Sequence, residues 1–334
     1  MPTTKKKTNI NDVARRVGMT SITVSRALNT PEKVKKETLE KILCAAKELN
    51  YVPNAIARNL KSQQSRIIGL ITSSIDNPFY TNTFKAVNRV AKANNYSLML
   101  FDTDGSEELE QKAVETLMGY QVSGIILSAV SDSDAYAPSY LNKLQLAHIP
   151  VVQIDRKISS APFPGVYLDN FNSGYKGMKQ FLTLGYKDVL VLAGPEQSNI
   201  TIDRVNGIKQ AIKECGVDIK LNVQYGDYNK ELSREAVHKV IAGKQLPEAI
   251  FGLNILITVG AMEAIQDEGL DYEQFGLMSI DHIPYARAFG KAIPCVKHDT
   301  YELGISAINI LMQQIDNPAR TVGDKIIVGD VSTS

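Results

Sequence analysis

The sequence contains few cysteines. Its 334 residues include three, Cys44, Cys215 and Cys295, which are far apart, odd in number and form no C-x-x-C pair. A disulfide scaffold is therefore excluded. We expect all three to be buried as small apolar residues in a reducing compartment.

Long apolar runs and an export signal are also missing. The longest uncharged apolar stretch, residues 249–262, spans 14 residues, which is short of the roughly 20 needed to cross a bilayer. Residues 5–7 are three lysines that lead into a polar helical pattern with no apolar segment behind them, which argues against a secretory signal. We expect a cytoplasmic protein that makes no membrane contact.

Sequence signatures of catalysis and of metal binding are not found. The sequence has no G-x-x-x-x-G-K-[ST], no G-x-G-x-x-G after a strand, no H-E-x-x-H and no G-x-S-x-G, and its four histidines are scattered. These absences disfavour an enzyme, and we expect neither a metal nor a cofactor.

The net charge of +1 conceals two segments of opposite sign. Residues 1–62 carry 13 basic and 5 acidic side chains, whereas the remainder carries 24 basic and 31 acidic ones. The two charges are therefore +8 and −7. A basic segment in front of an acidic body is typical of a chain whose first part binds an anionic partner, although a solvated basic face is an equally simple interpretation.

The pattern of apolar residues predicts a helical head, a connector and an α/β body. Three short helices fit residues 8–50, the third running from about Glu32 to Leu49. A break at Pro53 and a short amphipathic helix followed by polar residues make residues 51–65 a hinge helix and linker. Residues 66–334 alternate helices with short apolar runs, which indicates two similar lobes with parallel sheets, and we place the crossings between lobes near residues 161–169 and 283–299. The predicted strands are residues 67–71, 98–101, 124–127, 151–154, 189–193, 249–253 and 277–280.

Residues 10–29 form a helix, a glycine turn and a second helix, the arrangement of a helix-turn-helix. In that motif the second helix enters the major groove of double-stranded DNA. Arg26 can donate a bidentate pair to guanine, Ile22 can contact a thymine methyl group, and Ser21 lies on the same outer face. The polar neighbours that complete the predicted DNA-binding set, mainly through phosphate contacts, are Thr20, Thr23, Ser25 and Asn29. From these features alone, an ordinary helical hairpin remains the alternative.

The same segment resembles the lactose/galactose-repressor (LacI/GalR) family. The pattern D-V-A-x-x-x-G-x-[ST]-x-x-T-V-S-R-x-L-N begins at Asp12, and Y-x-P-N-x-x-A-x-x-L ends at Leu60. The resemblance implies a hinge helix that orders on DNA and a leucine, here Leu60, that wedges into the minor groove. It assigns Asn54, Ala57 and Lys61 to the same interface. The alternative is a plain linker.

The body resembles sugar-binding periplasmic proteins of the ribose-binding type, in which a small ligand lies between two lobes at the carboxyl ends of the strands. The residues that fall where this resemblance places ligand contacts are Asn77, Phe79, Tyr80, Asp155, Arg156, Arg204, Tyr228, Asn254, Asp281 and His298. Their carboxylate, guanidinium and amide groups can bind vicinal hydroxyls, and the aromatic rings can cover a sugar ring. We therefore expect a monosaccharide-type pocket rather than a purine pocket.

Other roles remain open for several of these residues. Asp155 and Asp281 could cap the helices that follow their strands, Phe79 could belong to the core, and Arg204 could be a solvated helix residue. Two departures from the family pattern concern the site: Ile255 replaces an acidic residue after Asn254, and His298 replaces the usual glutamine. A histidine near the ligand would suit a sugar acid or a sugar phosphate.

Together these features predict a ligand-controlled, sequence-specific regulator of transcription, a repressor of carbohydrate-related genes. The resemblance implies a homodimer on a pseudo-palindromic operator, and the tail from Ile326 onward has no leucine heptads for a tetramer. One alternative is an activator or global regulator controlled by a phosphorylated carrier protein. A transport-type sugar-binding protein and an enzyme on the same sheets are more distant alternatives.

Overall fold

The computed structural model describes residues 8–52, 65–243, 246–271 and 274–332. The chain separates into two compact units, Met1–Ser65 and Arg66–Ser334. The predicted hinge residues Asn54, Ala57, Leu60 and Lys61 lie outside the described residues.

Within residues 8–52, the first unit forms three α-helices: α1 (Ile10–Val17), α2 (Ser21–Asn29) and α3 (Lys36–Glu48). Asn9 caps α1, where its side chain accepts from the backbone of Asn11 and Asp12 while Asp12 bonds back to the cap residue. Gly18 adopts φ 67°, a left-handed conformation that ends α1 at little steric cost. Thr20 then caps α2.

The third helix begins later than the sequence predicts. A 3₁₀ turn occupies Pro31–Lys33, and α3 starts at Lys36 rather than near Glu32. The separate turn satisfies the backbone locally, since Val34 N–H bonds to the carbonyl of Pro31. The apolar faces of the three helices meet in one small core of Val13, Ala14, Val24, Ala27, Ile42, Ala45 and Ala46.

The second unit contains two lobes, each built on a six-stranded sheet. The elements of the first stretch are β1 (Ile67–Thr72), α4 (Phe79–Ala93), β2 (Ser97–Asp102), α5 (Glu107–Gly119), β3 (Gly124–Leu127), α6 (Tyr140–Leu146), β4 (Val151–Ile154) and β5 (Gly165–Leu168). The second stretch contains α7 (Asn170–Thr183), β6 (Asp188–Ala193), α8 (Asn199–Cys215), β7 (Lys220–Tyr225), α9 (Lys230–Ala242), β8 (Ala249–Gly252), α10 (Ile255–Asp267), β9 (Gly276–Ile280) and β10 (Cys295–Lys297). The last elements are α11 (Thr300–Asp316), β11 (Lys325–Ile327) and β12 (Asp330–Ser332).

The two sheets have the same topology. The strand order is β11-β5-β4-β3-β1-β2 in lobe 1 and β12-β10-β9-β8-β6-β7 in lobe 2. All neighbouring pairs are parallel except β10 and β12. Apolar side chains cover both faces of each sheet, which explains the continuous apolar runs in the central strands. The predicted fold class is confirmed.

The chain passes between the sheets three times: between Leu168 and Asn170, between Lys297 and Thr300, and between Ile327 and Asp330. The sequence does not predict the third passage, because β11 and β12 are three-residue strands with no readable periodicity. α11 belongs to the core of lobe 1 although it follows a strand of lobe 2.

Two expectations about exposure have different outcomes. Cys295 is buried as predicted, but the predicted burial of Cys44 and Cys215 is wrong, because both lie on the exposed sides of their helices. Among the described residues, no helix has the length and apolar character required to cross a membrane.

Candidate functional site

The outer face of α2 presents the side chains predicted to contact base edges. Ile22 is 62% exposed. Arg26 is exposed, and within the described residues its guanidinium has no hydrogen bond or ion pair. Both side chains are therefore available to a partner.

The polar residues of α2 are partly engaged within the helix. Thr20 accepts from the Thr23 backbone at 3.2 Å, and the two hydroxyls lie 2.9 Å apart. Asn29 Nδ2 donates to Ser25 Oγ at 3.2 Å. Ser21 is the first residue of the helix, where the unpaired backbone N–H groups favour an anion such as a phosphate.

The body contains a cavity of about 510 Å³ between its two lobes, at the carboxyl ends of the strands. Nine of the ten residues predicted to bind the effector line it: Asn77, Phe79, Tyr80, Asp155, Arg156, Arg204, Tyr228, Asn254 and Asp281. The shared topology explains this gathering, because parallel strands end at one edge of each sheet and the two edges face each other.

Asp155 and Asp281 occupy equivalent positions in the two lobes. Asp155 follows β4, Asp281 follows β9, and both have left-handed backbones, with φ 63° and 67°. Asp155 N–H donates to the Val166 carbonyl, and Asp281 N–H donates to the Val296 carbonyl, each on the next strand. Neither carboxylate caps a helix. The two lobes therefore present the same acidic group to opposite sides of the cavity.

Each carboxylate keeps one oxygen for a ligand. Tyr80 Oη donates to Asp155 Oδ2 at 2.8 Å, and the imidazole of His298 lies 2.7 Å from Asp281 Oδ1. Within the described chain, Asp155 Oδ1 and Asp281 Oδ2 accept no hydrogen bond. Burial raises the pKa of Asp155, while the nearby Arg156 and the Tyr80 hydroxyl act in the opposite direction.

Protein carbonyls hold both arginines in place. Arg156 Nη1 donates to the carbonyl of Val130 at 2.5 Å, and its guanidinium lies 5.0 Å from the ring centre of Tyr228 on the opposite lobe. Arg204 is 4% exposed, and it donates to Asn170 Oδ1 and to the Leu253 carbonyl. It is therefore a buried cavity residue and not a solvated helix residue.

The remaining predicted residues combine structural and cavity-lining positions. Phe79 is 6% exposed and belongs to the core of lobe 1, yet it also lines the cavity. Asn77 Oδ1 accepts from the Phe79 backbone, and Asn254 Oδ1 caps α10 by accepting from Ile257 N–H at 2.7 Å. Within the described residues, the amide nitrogens of these two cavity-lining asparagines donate no hydrogen bond.

His298 is the one predicted effector residue that does not line the cavity, so its position gives no support to a direct contact with the effector. Its side chain is completely buried behind Asp281, with Nδ1 2.7 Å from Asp281 Oδ1 and Nε2 2.9 Å from Ser173 Oγ. Residue 298 lies at the second passage between the lobes. Its imidazole therefore bonds to Asp281 and Ser173 and exposes no surface to the cavity.

Sequence reasoning missed several residues of this region. Asp104 and Asp227 follow the edge strands β2 and β7. The predicted strand over residues 98–101 was a signal that could have identified Asp104. No strand was predicted before Asp227, so that residue had no such signal. Other missed cavity residues are Ser73, Ser74, Asp76, Gly105, Val130, Ile200, Asn229, Lys230, Glu231, Ile255 and Leu256. Asp132, which joins the two lobes, was also missed. Among the described residues, no cluster of three or more histidine, cysteine, aspartate or glutamate residues could hold a metal ion.

The fold and the site define a class: a helix-turn-helix head joined to a two-lobed ligand-binding body. Comparison with known families agrees. Residues 9–54 match the family described as bacterial regulatory proteins, lacI family, and residues 65–329 match the periplasmic binding proteins and sugar binding domain of LacI family. The chain belongs to the LacI family. It is a DNA-binding transcriptional repressor that responds to a small molecule, and it is not an enzyme.

The matches to curated relatives and to solved structures cover nearly the whole chain. The HTH-type transcriptional repressor PurR of Erwinia tasmaniensis is 30% identical over 309 residues, covering 92% of this chain and 90% of that protein. PurR of Histophilus somni is 27% identical over 314 residues, 93% of each chain. The lac repressor dimer bound to operator and the anti-inducer ONPF matches the fold with a TM-score of 0.79 at 23% identity, covering 98% of both chains.

Proposed function

We propose that this protein represses carbohydrate-related genes and that a sugar or sugar derivative in the cavity of the body changes its affinity for DNA. The pair Asp155 and Asp281 is the observation that carries the proposal. Two carboxylates on opposite lobes, each with one oxygen available, suit a ligand with hydroxyl groups on both edges. Arg156, Arg204 and Asn254 supply further planar polar groups beside them.

The charge balance of the cavity favours a neutral effector. Six acidic side chains line it, Asp76, Asp104, Asp155, Asp227, Glu231 and Asp281, against the three basic side chains Arg156, Arg204 and Lys230. Both arginines already donate to protein carbonyls. With His298 outside the cavity, the argument for a sugar acid or a sugar phosphate loses its main support.

A purine base is the second candidate. The curated relatives described above are repressors named PurR, and Phe79 and Tyr228 offer flat faces that would suit a base as well as a sugar ring. A base, however, would leave more of the cavity's hydrogen-bonding groups unpaired than a polyol would. We therefore rank the sugar first.

A thermal-shift screen separates the two candidates. The panel contains neutral pentoses and hexoses, sugar acids, sugar phosphates and purine bases. A compound at 100 times its Kd adds about 2.7 kcal/mol to the stability of the body. Asp281→Asn should abolish that shift, whereas Asp188→Asn, a matched change at an ion pair with Lys220 outside the cavity, should keep it. A shift with purines alone would reject the sugar and keep the repressor.

On DNA, we propose a homodimer that places two copies of α2 in successive major grooves of a pseudo-palindromic operator in the cytoplasm. Leu60, with Asn54, Ala57 and Lys61, would contact the minor groove between them. Sedimentation of the full chain with operator DNA tests the stoichiometry, and two chains per operator are expected. An activator controlled by a phosphorylated carrier protein would instead need that protein for tight operator binding.

A further inference from the structure

Glu110 is a completely buried carboxylate that the effector cavity does not include. It lies on α5 of lobe 1 and has 0% exposure. Tyr136 Oη and Tyr140 Oη each donate to its Oε1 at 2.5 Å, and Val130 N–H donates to its Oε2 at 2.6 Å. Three donors converge on this group, so its geometry is fixed by the fold.

The segment that Glu110 holds is residues 128–132, which follow β3. Its carbonyls at Ala129 and Val130 accept from Arg156 Nη1, at 3.3 and 2.5 Å. Val130 therefore connects the two side chains through its backbone, with Glu110 bonded to its N–H and Arg156 bonded to its carbonyl. Ser128 Oγ also lies 2.8 Å from Tyr80 Oη, which donates to Asp155.

The other end of this segment reaches the second lobe. Asp132 is 3% exposed, and its Oδ2 accepts from Ser198 Oγ at 3.0 Å and from Ile200 N–H at 2.7 Å. These groups form the first turn of α8, where a negative charge is stabilised by the helix dipole. Asn199 Nδ2 donates to the Asp132 carbonyl at 2.7 Å. Ser198 Oγ in turn lies 2.8 Å from Tyr228 Oη in the cavity wall.

We propose that Glu110 is a positioning residue of the effector site: it fixes residues 128–132 and thereby sets both the Arg156 guanidinium in the cavity and the Asp132 contact that holds lobe 2 against lobe 1. This inference rests on the proposed function for the meaning of the cavity, but its geometry does not depend on the identity of the effector.

The cost of burying this charge supports a functional role. Burial raises the pKa of Glu110, although the two tyrosine hydroxyls, Val130 N–H and Arg156 oppose that rise. The folded protein therefore disfavours the ionised carboxylate that best accepts three hydrogen bonds. A neutral glutamine keeps the shape of this side chain but offers one acceptor oxygen instead of two, so the main effect of Glu110→Gln should fall on the groups that donate to it.

Hydrogen exchange of the full chain without any effector tests the inference. In Glu110→Gln, amides in residues 129–132 should exchange faster because the glutamine amide nitrogen cannot accept from Val130 N–H, and one lost hydrogen bond is worth about tenfold in the opening equilibrium. Amides in residues 198–201 of lobe 2 should also exchange faster, since Ile200 N–H depends on Asp132. Strand β9 should not change.

Three further variants sharpen the result. Glu115→Gln, on the exposed side of the same helix, should leave both segments unchanged. Tyr140→Phe should give a smaller effect than Glu110→Gln in both segments, and it serves as the readout if the glutamine variant fails to fold. Asp132→Asn should affect residues 198–201 strongly.

The exchange rates of residues 198–201 in lobe 2 decide whether the inference holds. If Glu110→Gln changes residues 129–132 and leaves residues 198–201 as in the wild type, Glu110 is a local packing residue and the inference is wrong. The same holds if the glutamine variant fails to fold and Tyr140→Phe leaves residues 198–201 unchanged. None of these measurements needs an effector, so a failed sugar screen would reject the proposed effector without bearing on this result.

Discussion

Arg26→Ala should remove sequence discrimination without destabilising the head. The Arg26 side chain is exposed and, within the described residues, forms no hydrogen bond or ion pair, so its truncation breaks nothing in the folded protein. The loss should appear only on DNA. A bidentate arginine on guanine is worth about 1–3 kcal/mol, which corresponds to roughly 5- to 150-fold in affinity.

Fluorescence anisotropy at one fixed salt concentration measures this effect on two DNAs, an operator selected from a random pool and a scrambled duplex. Arg26→Ala should weaken binding to the operator by the stated factor and change binding to the scrambled duplex much less. Arg15→Ala is the matched control, because Arg15 is an exposed arginine on α1, and the first helix of this motif crosses the DNA backbone. It should weaken binding to both DNAs by similar factors, as expected for a phosphate contact. Equal losses on both DNAs for Arg26→Ala would refute a base-reading role.

Three other predictions concern the body and the cysteines. His298→Ala should lower the free energy of unfolding by roughly 1–3 kcal/mol, measured by urea denaturation, because the Asp281 carboxylate in the cavity wall loses its partner; an unchanged midpoint would contradict the role in orientation. Asp155→Asn should weaken effector binding. The melting temperature of this variant, relative to that of the wild type, should increase as pH rises. The raised pKa of Asp155 means that the folded protein holds the carboxyl proton more tightly than the unfolded chain, so the wild type loses stability as pH rises from the unfolded-state pKa through the folded-state pKa. A variant-to-wild-type difference that does not change with pH would argue against this. Finally, a thiol reagent should modify Cys44 and Cys215 in the native protein well before Cys295, because burial raises the pKa of Cys295 to about 11. Mass spectrometry should show two rapidly modified cysteines. Rapid modification of all three would contradict the burial of Cys295.

The sequence predicts the central strands of each sheet well and the edge strands poorly. Strands such as Val151–Ile154 are buried on both faces, so their apolar runs are continuous and easily recognised. Lys220–Tyr225 is an edge strand whose side chains are half-buried or exposed, and its composition resembles a loop. Its position is decided by pairing with β6, which is a tertiary effect.

The candidate site follows a similar division. Residues directly after a predicted strand, such as Asp155 and Asp281, could be placed because strand ends gather at one sheet edge. His298 also sits near a strand end, yet it points behind the wall rather than into the cavity, and sequence spacing does not record side-chain direction. Asp132 and Glu110 act across elements that are distant in sequence, and no local pattern marks them.

The arrangement of the body implies where an effector must act. The polar groups of the cavity are divided between the lobes, and on one side the lobes are joined by Asp132 and the start of α8. Near the three chain passages, His298 ties Asp281 to Ser173, and Gly329 packs so closely on the imidazole that a Cβ there would lie 2.5 Å from Nε2. A ligand bonded to Asp155 and Asp281 would therefore act on the Asp132 contact between the lobes and on the three chain segments that connect them. The core of each lobe would not need to change. We expect the effector to change the angle between the lobes rather than their internal structure. Since linkage is reciprocal, any change in that angle that alters the affinity for DNA must let the DNA alter the affinity for the effector by the same factor.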